Sequence, residues 1–345
     1  MLQLSYRGSG ALAVDDVPAP VPGPGEVRVR VHSTGLCMSD VYGVSGVNDR
    51  RDVVLGEGDV LVMGHEVAGH VELGGPGAGD LAPGTPVAID PIAGCGDCPT
   101  CRAGDENLCD ARTVYGCTPA AAGGYAEAVV VPRRKLHVLA PGTPIEVGAL
   151  VEPLSVGAHA VRLAAPAAGD AVLVIGGGII GIGAALAARR RIGAVGKLLV
   201  LEPRAERRAL CEALGLRAAA PDSPVDGFDL ALDCVARPET FANAVQAVRP
   251  QGLVMLVGIF SDEIPLPVST VVWRETRIAG SFGYSDGDFA DVAQWVGSGA
   301  ADLAPLVQQR VGFDGLTGAF EDYASGALTA VRTLFQPGFE QQERT

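Results

Sequence analysis

The sequence predicts an α/β chain in two parts: a β-rich front third with the texture of a partly open barrel, and a doubly wound parallel sheet behind it. Three observations predict this. Apolar segments alternate with helical ones between about residues 171 and 281, the order that builds a parallel sheet with helices on its faces. The front third carries short apolar runs broken by Gly and Pro, which is how barrel strands and long loops read. A length of 345 residues suits two domains rather than one.

In order along the chain, Pro18, Pro20, Pro22 and Pro24 make an irregular approach to residues 26–32, EVRVRVH. Strict alternation there predicts a half-buried strand. Residues 61–73, 86–91, 124–131 and 135–138 continue the β texture. Further strands are expected at 171–175, 197–201, 229–233, 252–257 and 277–281, with helices at 179–192, 204–214 and 238–248. The front domain is placed at 1–156, with a cysteine lobe at 94–110, and the sheet domain at 157–293.

Net charge is −14, a field that disfavours nucleic acid and anionic membranes as partners. No charge-free apolar run is long enough to span a bilayer. The first ten residues lack the basic-then-apolar pattern of a secretory signal. Hydrophobic residues make up 48%, so a large core and little disorder are expected. Of eight cysteines, four are crowded together and four dispersed. Without a signal peptide, thiolate metal ligands in a reducing cytoplasm fit better than a disulfide framework.

The stretch VLVIGGGIIG, 172–181, reads as a buried strand, a glycine turn and a helix start. Gly176, Gly178 and Gly181 stand in a G-x-G-x-x-G pattern. Such a turn lets the backbone approach a pyrophosphate, while the helix N-terminus at Ile179 and Ile180 offers N–H groups and a positive dipole end. A second apolar strand ends in Glu202, about 20 residues past the last glycine, where an acidic group can accept from an adenosine ribose. A carboxylate there repels a 2′-phosphate, so NAD is expected rather than NADP. Arg204, two residues on, is the competing sign, since an arginine can accept that phosphate.

Cys95-x2-Cys98-x2-Cys101-x7-Cys109 can close a tetrahedral site around Zn²⁺ with no open position, which makes it structural. Cys37, His65 and Glu152 are a plausible second zinc set with a position left for water or substrate. Each also has an ordinary role open to it: a buried thiol, a satisfied loop histidine and a helix-start carboxylate. Their sequence separation alone does not join them.

Gly64-His65-Glu66-x2-Gly69-x5-Gly75-x2-Ala78, the four-cysteine lobe, Gly123-Gly124-Tyr125-Ala126-Glu127 and the glycine turn occur in this order. Over nearly its whole length the chain resembles the zinc-containing medium-chain alcohol dehydrogenases, and more the polyol (sorbitol, threonine) branch than the ethanol enzymes. The resemblance implies a discontinuous GroES-like catalytic domain, to which residues 294–345 return, and a Rossmann cofactor domain. It implies one catalytic and one structural zinc, with Cys37 and His65 as catalytic ligands and either Glu66 or Glu152 as the third. It makes Asp40 the carboxylate that orients the zinc-bound imidazole and Ser39 the hydroxyl that accepts the substrate proton. Tyr42 stands where many relatives have a histidine, so the outer end of the relay is either Tyr42 or water. Met38 replaces a common glycine or basic residue, removing a phosphate contact.

By the same resemblance Arg207 lies against the adenine, Cys234 and Val235 follow the fourth strand, Val257 and Ile259 follow the fifth, and Ser281 and Phe282 approach the nicotinamide. The implied reaction passes hydride from an alcohol to NAD, with zinc acidifying the alcohol. Relatives are commonly homodimers or homotetramers, and the last strand is a candidate edge for pairing.

For the substrate, Asn48, Asp49, Arg50, Arg51, Glu57 and Asp59 either meet hydroxyls or form a solvated loop. Tyr115, Trp273, Arg274 and Glu275 are further candidates by family position. A polar lining with the Glu152-type site favours a polyol, sugar or cyclitol. The alternatives are a simple alcohol, aldehyde or amino-alcohol dehydrogenase, and a non-catalytic NAD-binding scaffold that keeps only the structural zinc.

Overall fold

The computed structural model of the chain describes all residues except 9, 46–54, 56–58, 120, 194–195, 260–262, 328 and 340–345. The chain divides into two compact units, Met1–Glu152 with Phe289–Thr345, and Pro153–Asp288. The changeovers fall inside the helices Val151–Ala164 and Asp286–Gly297, not in Pro- or Gly-rich linkers.

In the first unit a seven-stranded sheet runs in the order Leu136–Val138, Pro86–Ile89, Glu66–Gly74, Glu26–Gly35, Arg332–Phe335, Val307–Val311, with Ala128–Pro132 also paired to Glu26–Gly35. The alternation of EVRVRVH drives one face inward: Val27, Val29 and Val31 pack with Val67, Val71, Val87, Ile89, Val129 and Val131. Burial of this much branched apolar surface is the main force closing the barrel. The C-terminal strand Arg332–Phe335 pairs antiparallel with the end of Glu26–Gly35, Leu334 opposite Gly35 and Phe335 opposite Thr34. Gly35 also pairs with Glu66. A side chain at Gly35 would push the Glu66 carboxylate out of place, because its Cβ would lie 1.9 Å from Glu66 Oε2. A second cluster of Leu4, Leu36, Val41, Met63, Tyr125, Phe320 and Phe335 supports the short helix Met38–Ser45.

The second unit is a six-stranded, wholly parallel sheet. Its order is Ala218–Ala219, Lys197–Leu201, Ala171–Ile175, Phe228–Asp233, Val248–Leu256, Arg277–Gly280. The expected strands at 171–175 and 197–201 and the helix at 179–192 have the bounds the periodicity predicts. The fifth strand differs: it begins at Val248 rather than 252, running straight out of the helix Pro238–Ala247. The two-residue strand Ala218–Ala219 and the helix Val268–Arg274 are too short for periodicity to reveal.

Candidate active site: two metal centres and a dinucleotide cradle

The four-cysteine lobe is built around the helix Pro99–Arg102, whose cap, Cys98, accepts the Cys101 N–H on its sulfur at 3.4 Å. Cys109 accepts the Cys95 N–H at 3.5 Å, and Cys95 and Cys101 sulfurs lie 3.9 Å apart. All four sulfurs are within 4.8 Å of one another. Four sulfurs at 2.3 Å from a tetrahedral zinc are spaced about 3.8 Å apart, so the lobe fits a closed zinc site. The Thr100 hydroxyl and the Cys101 N–H pull the Cys98 thiol down to about 6, a thiolate at neutral pH and so a ready ligand.

A buried charge network docks the lobe on the barrel. Glu106, inside it, accepts the Gly94 N–H at 2.7 Å and meets Arg134 at 2.8 Å and Lys135 at 2.9 Å. Lys135, itself 1% exposed, reaches Asp90 at 2.8 Å.

The second centre forms where the helix Met38–Ser45 meets the start of the strand Glu66–Gly74. Cys37 precedes the helix, and its carbonyl accepts the Asp40 N–H at 3.1 Å. Donor atoms of Cys37, His65 and Glu66 lie within 4.8 Å of one another. A thiol, an imidazole and a carboxylate are a zinc donor set that leaves one position open. No nitrogen or oxygen donor among the described residues gives either Glu66 oxygen a directed hydrogen bond, although both are buried. With Arg332 Nη1 3.0 Å from Oε2 as its charge partner, the carboxylate keeps lone pairs open to a metal. Glu152, half-buried at the start of Val151–Ala164, is not in that cluster; its charge is felt by Arg332.

Asp40 Oδ1 stands 3.2 Å from His65 Nδ1, the side chain Tyr125 holds by donating its hydroxyl to Oδ2 at 2.7 Å. Ser39 Oγ stands 3.4 Å from the other ring nitrogen, Nε2. Burial opposes charge on His65, but Cys117, Asp40 and Cys37 outweigh it and hold its pKa well above that of free imidazole. Cys117 Sγ is 3.5 Å from His65 Nδ1. Tyr42, 37% exposed, sits on the open side of the helix.

Three residues escaped the sequence reading of this centre. Arg332 pairs with Glu66 at 3.0 Å and donates to the Leu36 carbonyl. It lies in an apolar strand near the end of the chain, with no pattern to mark it. Tyr125 was visible as part of a motif but not as the partner of Asp40. Cys117 read as one dispersed thiol among several.

In the second unit, Gly176 takes φ +104° at the end of Ala171–Ile175. A Cβ on Gly181 would lie 1.8 Å from the Gly176 carbonyl oxygen, whereas one on Gly178 would meet nothing within 4 Å. The third glycine therefore closes the turn, and the second faces open space. Gly178 caps the helix Ile179–Ile192 with no side chain on its first N–H groups. This is a cradle of the kind that holds a pyrophosphate.

Glu202 comes to the cradle. Its Oε2 accepts the Gly177 N–H at 2.8 Å and its Oε1 the Arg204 N–H at 2.9 Å. Arg207 Nε and Ser281 Oγ are buried polar atoms without a hydrogen-bond partner among the described residues. Val235 packs against the turn, its Cγ2 2.7 Å from where a Gly176 Cβ would stand. Cys234 donates its N–H to the Ile175 carbonyl at 3.0 Å, and burial pushes its thiol pKa up. Val257 is buried, while Val235, Ile259 and Phe282 leave apolar surface exposed near the C-terminal ends of the strands, where ligands of such sheets bind.

The remaining candidates are scattered. Asn48, Asp49, Arg50, Arg51 and Glu57 lie outside the described residues, and Asp59 is exposed. Tyr115 packs on the barrel core and shares a small apolar crevice with His65. Arg274 donates to the Val248 carbonyl and Glu275 accepts from Gln251 at 2.7 Å, so both brace the sheet edge. Trp273 is 87% exposed.

Comparison with known proteins follows the same division. A family model described as the alcohol dehydrogenase GroES-like domain matches residues 23–141, and one described as zinc-binding dehydrogenase matches residues 180–298. The chain is 32% identical over 346 residues to the L-idonate 5-dehydrogenase of Vitis vinifera, covering 95% of this chain and 92% of that one. It is 32% identical to the sorbitol dehydrogenase of Arabidopsis thaliana, covering 95% and 93%. It superposes with TM-score 0.88 on a zinc-binding dehydrogenase from Sinorhizobium meliloti 1021 bound to NADP, at 26% identity, covering 97% and 99%.

Proposed function

The chain belongs to the zinc-containing medium-chain alcohol dehydrogenase family, in its polyol dehydrogenase branch, and from that membership we propose that it oxidises a hydroxyl-rich secondary alcohol with NAD, reversibly to the ketone. The observation that carries the reading is Ser39 Oγ, 3.4 Å from His65 Nε2, beside the Cys37–His65–Glu66 cluster. The relatives named for idonate and sorbitol support a substrate of that class.

Cys37, His65 and Glu66 would hold the catalytic ion, with Glu152 as the competing third ligand, and Cys95, Cys98, Cys101 and Cys109 the structural one. When bound, zinc supplies a positive centre that makes an alcohol more acidic, and NAD supplies the hydride acceptor. Asp40 keeps the His65 proton on Nδ1, leaving Nε2 as the ligating atom. Ser39 Oγ receives the alcohol proton and passes it outward to Tyr42 or water. Backbone N–H groups from Gly178 to Gly181 would bind the pyrophosphate, Glu202 would accept from the ribose hydroxyls and Arg207 would hold the adenine. Glu202 also opposes a 2′-phosphate, which favours NAD over NADP.

A panel of polyols, sugars, cyclitols and simple alcohols with NAD tests the substrate class. Turnover of primary alcohols alone would overturn it. Metal analysis tests the enzyme against a scaffold: two zincs per chain are expected, and one would mean the scaffold.

We further assign the chain to the cytoplasm and to a homodimer or homotetramer. None of the eight cysteines is in a disulfide, a pattern that suits a reducing compartment, and fractionation into an oxidising one would count against this. The strand Arg277–Gly280 ends its sheet, and the adjoining helix exposes Val268, Val272 and Trp273, as an interface does. A monomeric mass by light scattering would remove the oligomer.

A further inference from the structure

The imidazole of His65 has ligand chemistry on both edges. Nε2 faces Ser39. Nδ1 faces Asp40 Oδ1 at 3.2 Å and Cys117 Sγ at 3.5 Å. The three donor atoms lie within 4.8 Å of one another. Around a tetrahedral zinc, nitrogen and oxygen ligands are spaced about 3.4 Å apart and nitrogen and sulfur ligands about 3.6 Å. The two spacings to His65 Nδ1 match a coordination shell as well as the polar contacts they now make. We propose that Asp40, His65 Nδ1 and Cys117 form a second divalent-cation site, distinct from the catalytic one, through which excess zinc or cadmium inhibits the enzyme.

The donor set selects the cation. One sulfur, one imidazole nitrogen and one carboxylate oxygen suit Zn²⁺ and Cd²⁺, and do not suit Mg²⁺ or Ca²⁺. Tyr125 donates to Asp40 Oδ2 at 2.7 Å, so Oδ1 remains for the metal. Cys117 is only partly buried, which gives a cation a way in. Binding sends the Nδ1 proton and the Cys117 thiol proton to solvent, as metal binding to such ligands does. The ring then bridges two cations. Asp40 no longer orients the imidazole by accepting its N–H, and the catalytic ligand set loses its support.

The inference rests on the assignment of His65 to the catalytic ion, and the test separates the two. Purified enzyme holding two zincs per chain is titrated with Cd²⁺, following bound cadmium, retained zinc and the thiolate-to-metal charge-transfer band. A saturable third metal is expected, with inhibition tracking its occupancy and both zincs retained. Cys117→Ala and Cys117→Ser should keep both zincs and weaken the third site at least about tenfold. In the native protein, Cd²⁺ should also slow alkylation of Cys117, read on its peptide, which needs no variant. Two zincs with no third metal, an undiminished third site in both variants, or alkylation of Cys117 unaffected by Cd²⁺ would overturn the second site and leave the catalytic reading standing. One zinc per chain would overturn both.

Discussion

Arg332 and Glu66 meet as an ion pair, Nη1 to Oε2 at 3.0 Å, with side chains 1% and 0% exposed. The register explains it, since Gly35 lies between Leu334 on one side and Glu66 on the other. Removing one member of a buried pair strands the other charge, at a cost of about 3–5 kcal/mol. Arg332→Met should lower unfolding free energy by that amount in a urea titration, and Glu66→Gln in the same chain should recover part of it. Equal stability of native and Arg332→Met protein would rule out a structural pair.

Ser39 and Tyr42 should separate cleanly. Loss of a positioned proton acceptor costs about 10²–10⁴-fold, so Ser39→Ala should lose that much kcat while keeping both zincs. Tyr42→Phe, at an exposed position where water can substitute, should stay within about tenfold. A Ser39→Ala enzyme near native kcat would remove the hydroxyl from the relay.

Glu202 should set cofactor choice. With its carboxylate replaced in Glu202→Gln, kcat/KM for NAD should fall about tenfold or more, and the NAD to NADP preference should narrow. Because Gly177 and Arg204 N–H groups also use this carboxylate, thermal melting of the variant must be measured alongside. An unchanged ratio would shift the discrimination to Arg204.

Lys135 should govern the lobe. Lys135→Met removes the buried cation that Asp90 and Glu106 share, with Arg134 still on Glu106, a loss of about 3–5 kcal/mol. Chelator should then strip the lobe zinc faster than from native protein. Identical release rates would detach the network from metal retention.

Asp288 predicts acid behaviour. Burial raises its pKa, but hydrogen bonds from His159, Arg162 and Ser285 outweigh that, and the carboxyl sits well below its ordinary 3.8. A depressed carboxylate contributes stability that is full above the unfolded value and lost as pH falls through the folded one. The Tm of Asp288→Asn should therefore fall less steeply than the native one below pH 3.8. Parallel curves would show that the cluster carries no such linkage.

The cofactor unit was legible because its signals are local. A wholly apolar strand, a glycine turn and a 3.6-residue period each sit within one stretch of chain, and the bounds of the helix Ile179–Ile192 follow from them. The front unit was legible in its candidate metal ligands, through motifs, but not in what surrounds them. Arg332, Tyr125 and Cys117 reach the centre through strand pairing and loop packing across long separations, and nothing local announces that. Glu152 shows the converse. Its position made it a ligand candidate, yet the cluster of donor atoms forms with Glu66.

The strand that delivers Arg332 is the last of its sheet to be made. On the ribosome, the parallel-sheet unit, one uninterrupted stretch, can assemble as soon as it emerges. The Glu66 carboxylate must wait for its counter-charge until Arg332–Phe335 has left the exit tunnel. Until then the metal-binding unit cannot close around Glu66 with its charge partner in place, so this unit is expected to be the last to complete its fold.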